Sequence, residues 1–325
     1  MRLLCLVLLF FGGAACGQKQ TPAELPLTDR LELYDYNPSL QLEDRIGPMP
    51  AKLLELYRQM DGRPDYKSYI PSPAEKAQLL EYLRLMPQFV ERVFREKCVG
   101  IYFVEGFMGN GITSWVADSK GKLYFHITLN PASFRQTLSE TLTERERSCF
   151  IPAKSWEISV DAGSKYKGLA YAVFHEAAHA ADYIEGITPL MDPGQPEAYR
   201  AAVHPDGGLF TGTWAVASVP SAGNDFPDRV NLTFYGLGNG PKISLAKAPI
   251  VYKGLSGSPF VSLYGSKHSA EDFAELTAYS LIVASLGQPY RITVTGPAVK
   301  IVSEPMKGRA GQRAEAALRL LEKIR

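Results

Sequence analysis

The stretch Val173-Phe174-His175-Glu176-Ala177-Ala178-His179-Ala180-Ala181-Asp182 constrains this chain more than any other. It is apolar enough to lie inside a protein, yet it holds two imidazoles and two carboxylates. Lys167 to Glu185 reads as one Ala-rich helix, closed by Gly186, a residue that readily takes the left-handed turn after a helix. On a helix, the H-E-x-x-H spacing places His175 and His179 one turn apart and about 40° apart around the axis. Both can then present a ring nitrogen to one metal ion. Glu176 lies about 100° from His175, beside the ion rather than on it. That position suits a general base acting on a water that the metal activates.

A catalytic zinc site takes three protein ligands and keeps a further position open. Glu185 is turned about 240° from His179 and cannot reach while the helix runs to Gly186. Asp182 shares the histidine face one turn further on, and suits an acceptor that orients a ligand histidine. The remaining candidates are distant, in the segment Tyr264-Gly-Ser-Lys-His268-Ser-Ala-Glu271-Asp-Phe-Ala-Glu275. Glu271 and Glu275 stand at i and i+4 on one helical face. One of them can bind metal while the other hydrogen-bonds a ligand histidine.

Here the sequence resembles a known family. H-E-x-x-H with a Glu ligand from a later helix is the pattern of the gluzincin metallopeptidases. The segment from Leu263-Tyr264-Gly265 through Glu271-Asp272-Phe273-Ala274-Glu275 is similar to the catalytic domain of anthrax lethal factor and its relatives, and His179-Ala180-Ala181-Asp182 resembles the continuation of their motif. The resemblance implies one Zn2+ per chain, with His175, His179 and Glu271 as ligands. It implies Glu176 as the base and Tyr264 as a phenol that stabilises the transition state. It also implies an α+β, zincin-like fold: a small mixed sheet, an active-site helix and C-terminal helices. The likeness covers two blocks only, so substrate choice does not carry over.

The N-terminus sets the location. Arg2 precedes nine apolar residues, Leu3 to Phe11, then Gly12, Gly13, Ala14, Ala15 and Cys16. Nine residues are too few for a transmembrane helix, which needs about 20. They suit the core of a secretory signal. Ending in a cysteine after small residues, the segment resembles a bacterial lipoprotein signal, with cleavage after residue 15 and lipid on Cys16. The expectation is an exported envelope protein, lipid-anchored at the outer membrane or cell surface, or else periplasmic or secreted. In such a compartment Cys98 and Cys149 are a candidate disulfide, closing a loop worth ~4 kcal/mol on the chain-entropy model.

Charge narrows the partners. Lys and Arg total 35, Asp and Glu 34. No basic excess exists to neutralise phosphates, so nucleic acid is excluded as a partner. Membrane contact rests on lipid at Cys16, and the expected substrate is a protein or peptide.

Three regions follow: a signal peptide over 1–15, a tether and irregular arm over 16–45, and one peptidase domain over 46–325. Within the domain, helices are expected over 50–60, 72–97 with a break at Pro87, 132–147, 167–185, 271–286 and 312–325. Strands are expected over 99–107, 112–117, 123–129, 156–160 and 292–303. In the 123–129 strand, Phe125, Ile127 and Leu129 share one face, while Tyr124, His126 and Thr128 share the other. Residues 187–263, with recurrent Gly and Pro and short apolar runs, form a long irregular or β-rich insertion. One arm of the 112–129 hairpin is the candidate edge that holds an extended substrate. His126, His204 and His268 read as ordinary strand, loop and surface residues. Two other functions share these residues: an envelope binding lipoprotein with a structural or vestigial zinc site, and a zinc amidase acting on cell-wall peptides.

Overall fold

The computed structural model describes residues 25–204 and 207–324. The segment 1–15, Cys16 and the first part of the expected tether lie outside the described residues. The fold is mixed α+β.

Alternating apolar residues build a five-stranded mixed sheet from β1 (Ile46–Gly47), β2 (Lys67–Tyr69), β3 (Cys98–Glu105), β4 (Gly111–Ala117) and β5 (Leu123–Leu129). β5 runs parallel to β3 on one side and antiparallel to β4 on the other. β1 and β2 pair with the far side of β3. β4 is therefore an edge strand. Its turn is held by Asp118, whose Oδ1 accepts from the backbone N–H of Lys120 and Lys122. The two-residue period sorts the sheet as expected: Phe125, Ile127 and Leu129 enter the main core, whereas Tyr124 joins a second cluster behind the sheet.

Eight helices occur among the described residues: α1 (Ala51–Asp61), α2 (Pro73–Leu83), α3 (Gln88–Lys97), α4 (Leu138–Ser148), α5 (Leu169–Glu185), α6 (Ala248–Gly257), α7 (Ser269–Ser280) and α8 (Arg309–Lys323). Pro87 divides α2 from α3, because it lacks the N–H and crowds the preceding turn. The helix expected from Ala132 starts late. Pro131–Phe134 form a 3-10 turn, and α4 begins only after Thr137, which exchanges capping bonds with Glu140. α5 is the hub. Every residue from Leu169 to Tyr183 is buried, and the helix packs on β4, β5, α2, α3 and α7. Its small alanines let those neighbours approach on all sides, as befits a helix inside the core. Gly186, with φ 62°, ends it by donating its N–H to the carbonyl of Asp182.

The remaining strands are β6 (Phe150–Ile151), β7 (Glu157–Asp161), β8 (Trp214–Val216), β9 (Val219–Pro220), β10 (Ile243–Ser244), β11 (Arg291–Gly296) and β12 (Val299–Ser303). β7, β11 and β12 form an antiparallel sheet, and β8 pairs with β9.

Three expectations need correction. The 187–263 insertion, expected to be irregular or β-rich, also holds a helix and is built into the core. It contains α6, and its Phe210, Trp214, Phe226, Leu232, Phe234 and Tyr252 belong to the main core. β10 further ties it in by running parallel to β6. The arm is not a free tether from residue 25 onward. Leu25 is buried with Trp115, Ala117, Tyr183 and Tyr199, and Arg30 bridges Ala117 at one end of β4. Finally, Cys98 and Cys149 are free and buried. Cys98 opens β3, with its thiol 3.5 Å from the Gly100 carbonyl, whereas Cys149 caps α4 with its thiol 3.5 Å from the Arg145 carbonyl. Each is fixed by its own element, and burial pushes the Cys98 thiol up to about 12, which leaves it inert. A chain spanning residues 17–325, denatured without reductant, is expected to show both thiols in a thiol titration. Finding neither would mean that a bridge had formed.

Candidate metal centre

Two helices from distant parts of the sequence meet at the site. α5 supplies His175, Glu176 and His179, and α7 supplies Glu271 and Glu275. His175 Nε2 and His179 Nε2 are 3.1 Å apart, and each lies 3.2–3.3 Å from Glu271 Oε2. Three ligand atoms thus form a nearly equilateral triangle. For metal bonds of about 2.0–2.1 Å, two corners of a tetrahedron lie about 3.3–3.4 Å apart, so the triangle matches one face of such a site. Glu271 Oε2 is buried, and no hydrogen bond satisfies it among the described residues. These observations fit a metal ion on His175, His179 and Glu271.

The electrostatics point the same way. Burial works against the charged form of His175, but the adjoining Glu271 and Glu275 carboxylates overcome it and raise the imidazole to about 10. Burial likewise opposes the Glu271 carboxylate, yet His179 and His175 hold it well below the usual carboxylate range. The pocket is therefore built to carry positive charge at the point where the three atoms converge.

Glu275 shows why the second carboxylate of α7 is needed. Its Oε1 lies 2.9 Å from His175 Nδ1 and accepts from the Tyr171 hydroxyl at 2.6 Å. Its Oε2 accepts from Arg145 at 2.7 Å and from Ser262 Oγ at 2.5 Å. Accepting from Nδ1, it turns Nε2 of His175 toward the triangle, where a metal ion would replace the Nε2 proton. Burial raises the Glu275 carboxyl, but Arg145, His175 and Ser262 outweigh that and lower it to about 2.

Asp182, expected behind His179, does not serve it. Its two oxygens accept from the Thr188 N–H at 2.7 Å and the Thr188 hydroxyl at 2.5 Å. His179 Nδ1 has no hydrogen-bond partner among the described residues. The reason is local. Gly186 turns the chain back at once, so Thr188 reaches the carboxylate first. Asp182 thereby fastens the end of α5. Its carboxyl is raised to about 6 because burial outweighs the Thr188 bonds.

Glu176 is buried beside the triangle. Burial raises its carboxyl above the ordinary value, against the pull of His175, His179 and Thr113. Thr113, on β4, places its hydroxyl 2.8 Å from Glu176 Oε2 and 2.9 Å from the Glu176 carbonyl. Tyr264 lies in the loop before α7. Its ring is tilted over His175 at 5.7 Å and meets Phe234 edge-on at 4.9 Å. Burial, then the Glu271 and Glu176 carboxylates, push the phenol far above its usual value, so it remains a proton donor.

The other histidines are not part of the triangle. His126 is on the far face of the sheet among Tyr34, Tyr57 and Tyr102. His204 donates its backbone N–H to the Gly186 carbonyl. His268 is buried rather than on the surface, and its Nδ1 caps α7 by accepting from the Ala270 N–H.

Several contributors escaped the sequence reading. Tyr171 precedes His175 by four residues, so helical period alone could have placed it on the same face. Arg145 follows Leu138 and Leu142 on the apolar stripe of α4, and an Arg there signals a buried partner. Thr113, Ser262 and Phe234 left no such signal. No protein-family model matches the chain, and no curated protein or solved structure matches it.

Proposed function

We propose that this chain is a zinc endopeptidase of zincin-like fold that hydrolyses peptide bonds. The observation that carries the reading is the buried His175–His179–Glu271 triangle with the Glu176 carboxylate beside it. A structural site gains nothing from a buried carboxylate next to the metal, so Glu176 favours catalysis over a structural or vestigial role. Zn2+ held by the three ligands would polarise a carbonyl and make hydroxide available near neutral pH.

The residues of the chain then divide the work. Glu176 accepts a proton from the attacking water and returns it to the leaving amine, a task for which a raised carboxyl is suited. Tyr264, kept protonated, donates to the oxygen that becomes negative as the carbonyl carbon turns tetrahedral. Glu275 fixes the ring orientation of His175. β4 supports the binding step: it is the sheet edge, it packs on α5, and an extended peptide can pair with its outer rim. Arg30 bridges that rim at Ala117 and so limits it at one end.

The placement in the cell is also a proposal. The pattern over residues 1–16 supports export, with lipid on Cys16 as the membrane attachment. No helix among the described residues is long and apolar enough to cross a membrane.

Elemental analysis of protein expressed with ample metal is expected to find about one equivalent of zinc. Less than about a tenth of an equivalent would remove the metal assignment. A screen of a diverse peptide library then separates the readings. Cleavage of ordinary peptides supports the peptidase. Cleavage confined to cell-wall peptides indicates an amidase, and none at all indicates a binding protein.

A further inference from the structure

We propose that β4 is the cradle of the Glu176 carboxylate: the Thr113 hydroxyl orients it, and the absence of a side chain at Gly111 leaves the space it fills. Both are positioning residues for the proton-transfer step, and the inference rests on the reading of Glu176 as the base.

Residues 111 and 113 are two apart on one strand, so they share the face turned toward α5. The Thr113 hydroxyl lies within bonding distance of both the Glu176 carbonyl and Oε2. It has one proton for two acceptors, and the charged one makes the stronger bond. Oε2 is thereby held, and Oε1 is the oxygen left toward Gly111. A Cβ at Gly111 would come within 3.0 Å of Glu176 Cγ and of Oε1, and within 2.7 Å of Leu129 Cδ2. Leu129 and Glu176 are both buried, so a methyl group at residue 111 must displace one or both of them, and the Glu176 carboxylate loses the space it occupies.

The arrangement has a functional consequence. One face of β4 holds the base, and the outer rim of the same strand is where a peptide backbone can pair. A peptide seated on that rim is positioned against the carboxylate through a single strand, with no loop between them. General-base catalysis tolerates little error, and a displacement of about 1 Å can cost 10²-fold.

The test uses the full mature chain and a peptide that it cleaves. Thr113→Val keeps the branched shape and removes the donor, whereas Thr113→Ser keeps the donor. Thr113→Val is expected to lower kcat roughly 10- to 100-fold, with KM and zinc content within about twofold of wild type. Thr113→Ser is expected to recover most of the loss. Gly111→Ala is expected to lower kcat while zinc is retained. A kcat for Thr113→Val within about twofold of wild type would overturn the proposal. So would a Thr113→Ser variant as impaired as Thr113→Val, since packing alone would then explain the loss. Should Thr113→Val fail to fold, Gly111→Ala decides, and wild-type kcat in it overturns the cradle. If wild type cleaves no peptide, the peptidase reading falls separately. A crystal structure of Thr113→Val then judges the cradle, and an unmoved Glu176 carboxylate overturns it.

Discussion

Replacing Glu176 with Gln is expected to reduce peptide hydrolysis roughly 10²–10⁴-fold while the protein keeps its zinc and its fold. Gln matches Glu in shape and can still meet the Thr113 hydroxyl through its carbonyl oxygen. It cannot take up a proton at neutral pH. The ligand triangle does not include Glu176, so metal content is expected to stay at the wild-type value. Steady-state kinetics beside elemental analysis provide the check. Loss of zinc together with activity would show that Glu176 supports the site rather than the reaction. Unchanged turnover would remove it as the base.

The second large effect is on stability. Arg145→Met is expected to destabilise the protein by about 3–5 kcal/mol, read as a lowered midpoint of urea unfolding with zinc removed from both proteins. Arg145 is fully buried and holds a converging set of partners. Its Nη1 donates to Glu275 and to the Tyr171 hydroxyl, and its Nη2 donates to Glu146 and to the Tyr279 hydroxyl. Glu146 in turn accepts from Tyr252 of α6. Removing the guanidinium leaves the buried Glu146 carboxylate with no balancing charge and Glu275 with only His175 beside it, and that desolvation cost dominates. Met fills similar volume, so little of the effect arises from a cavity. A loss below about 1 kcal/mol would mean that water or a proton replaces the guanidinium.

The two halves of the site differed in how plainly the sequence declared them. His175, Glu176 and His179 are legible because helix geometry fixes their relation within five residues. Glu271 and Glu275 are legible as a pair for the same reason. That they meet α5 could be expected from the family likeness but not from spacing. Asp182 failed because a local competitor, Thr188, takes up both of its oxygens. The cysteines failed because sequence separation does not reveal whether two elements bring their ends together. Thr113 and Ser262 are common residue types whose roles arise only from tertiary contact. α6 was hidden because Pro249, Gly254 and Gly257 disguise the spacing of Val251, Tyr252 and Leu255, which tertiary packing then makes helical. In the sheet, by contrast, two-residue alternation grouped Phe125, Ile127 and Leu129 on one face of β5, and they enter the core together.

The wide separation of α5 and α7 along the chain has a consequence for the order of events in biosynthesis. The whole insertion lies between His179 and Glu271, and much of it packs into the shared core. A chain made from its N-terminus presents the two imidazoles long before the third ligand exists. Closing so long a loop is also among the slower steps of folding. Under the proposed function, hydrolytic competence waits until Glu271 on α7 has been made and docked against α5. The proposed peptidase would thus stay inactive for as long as its growing chain is short of α7.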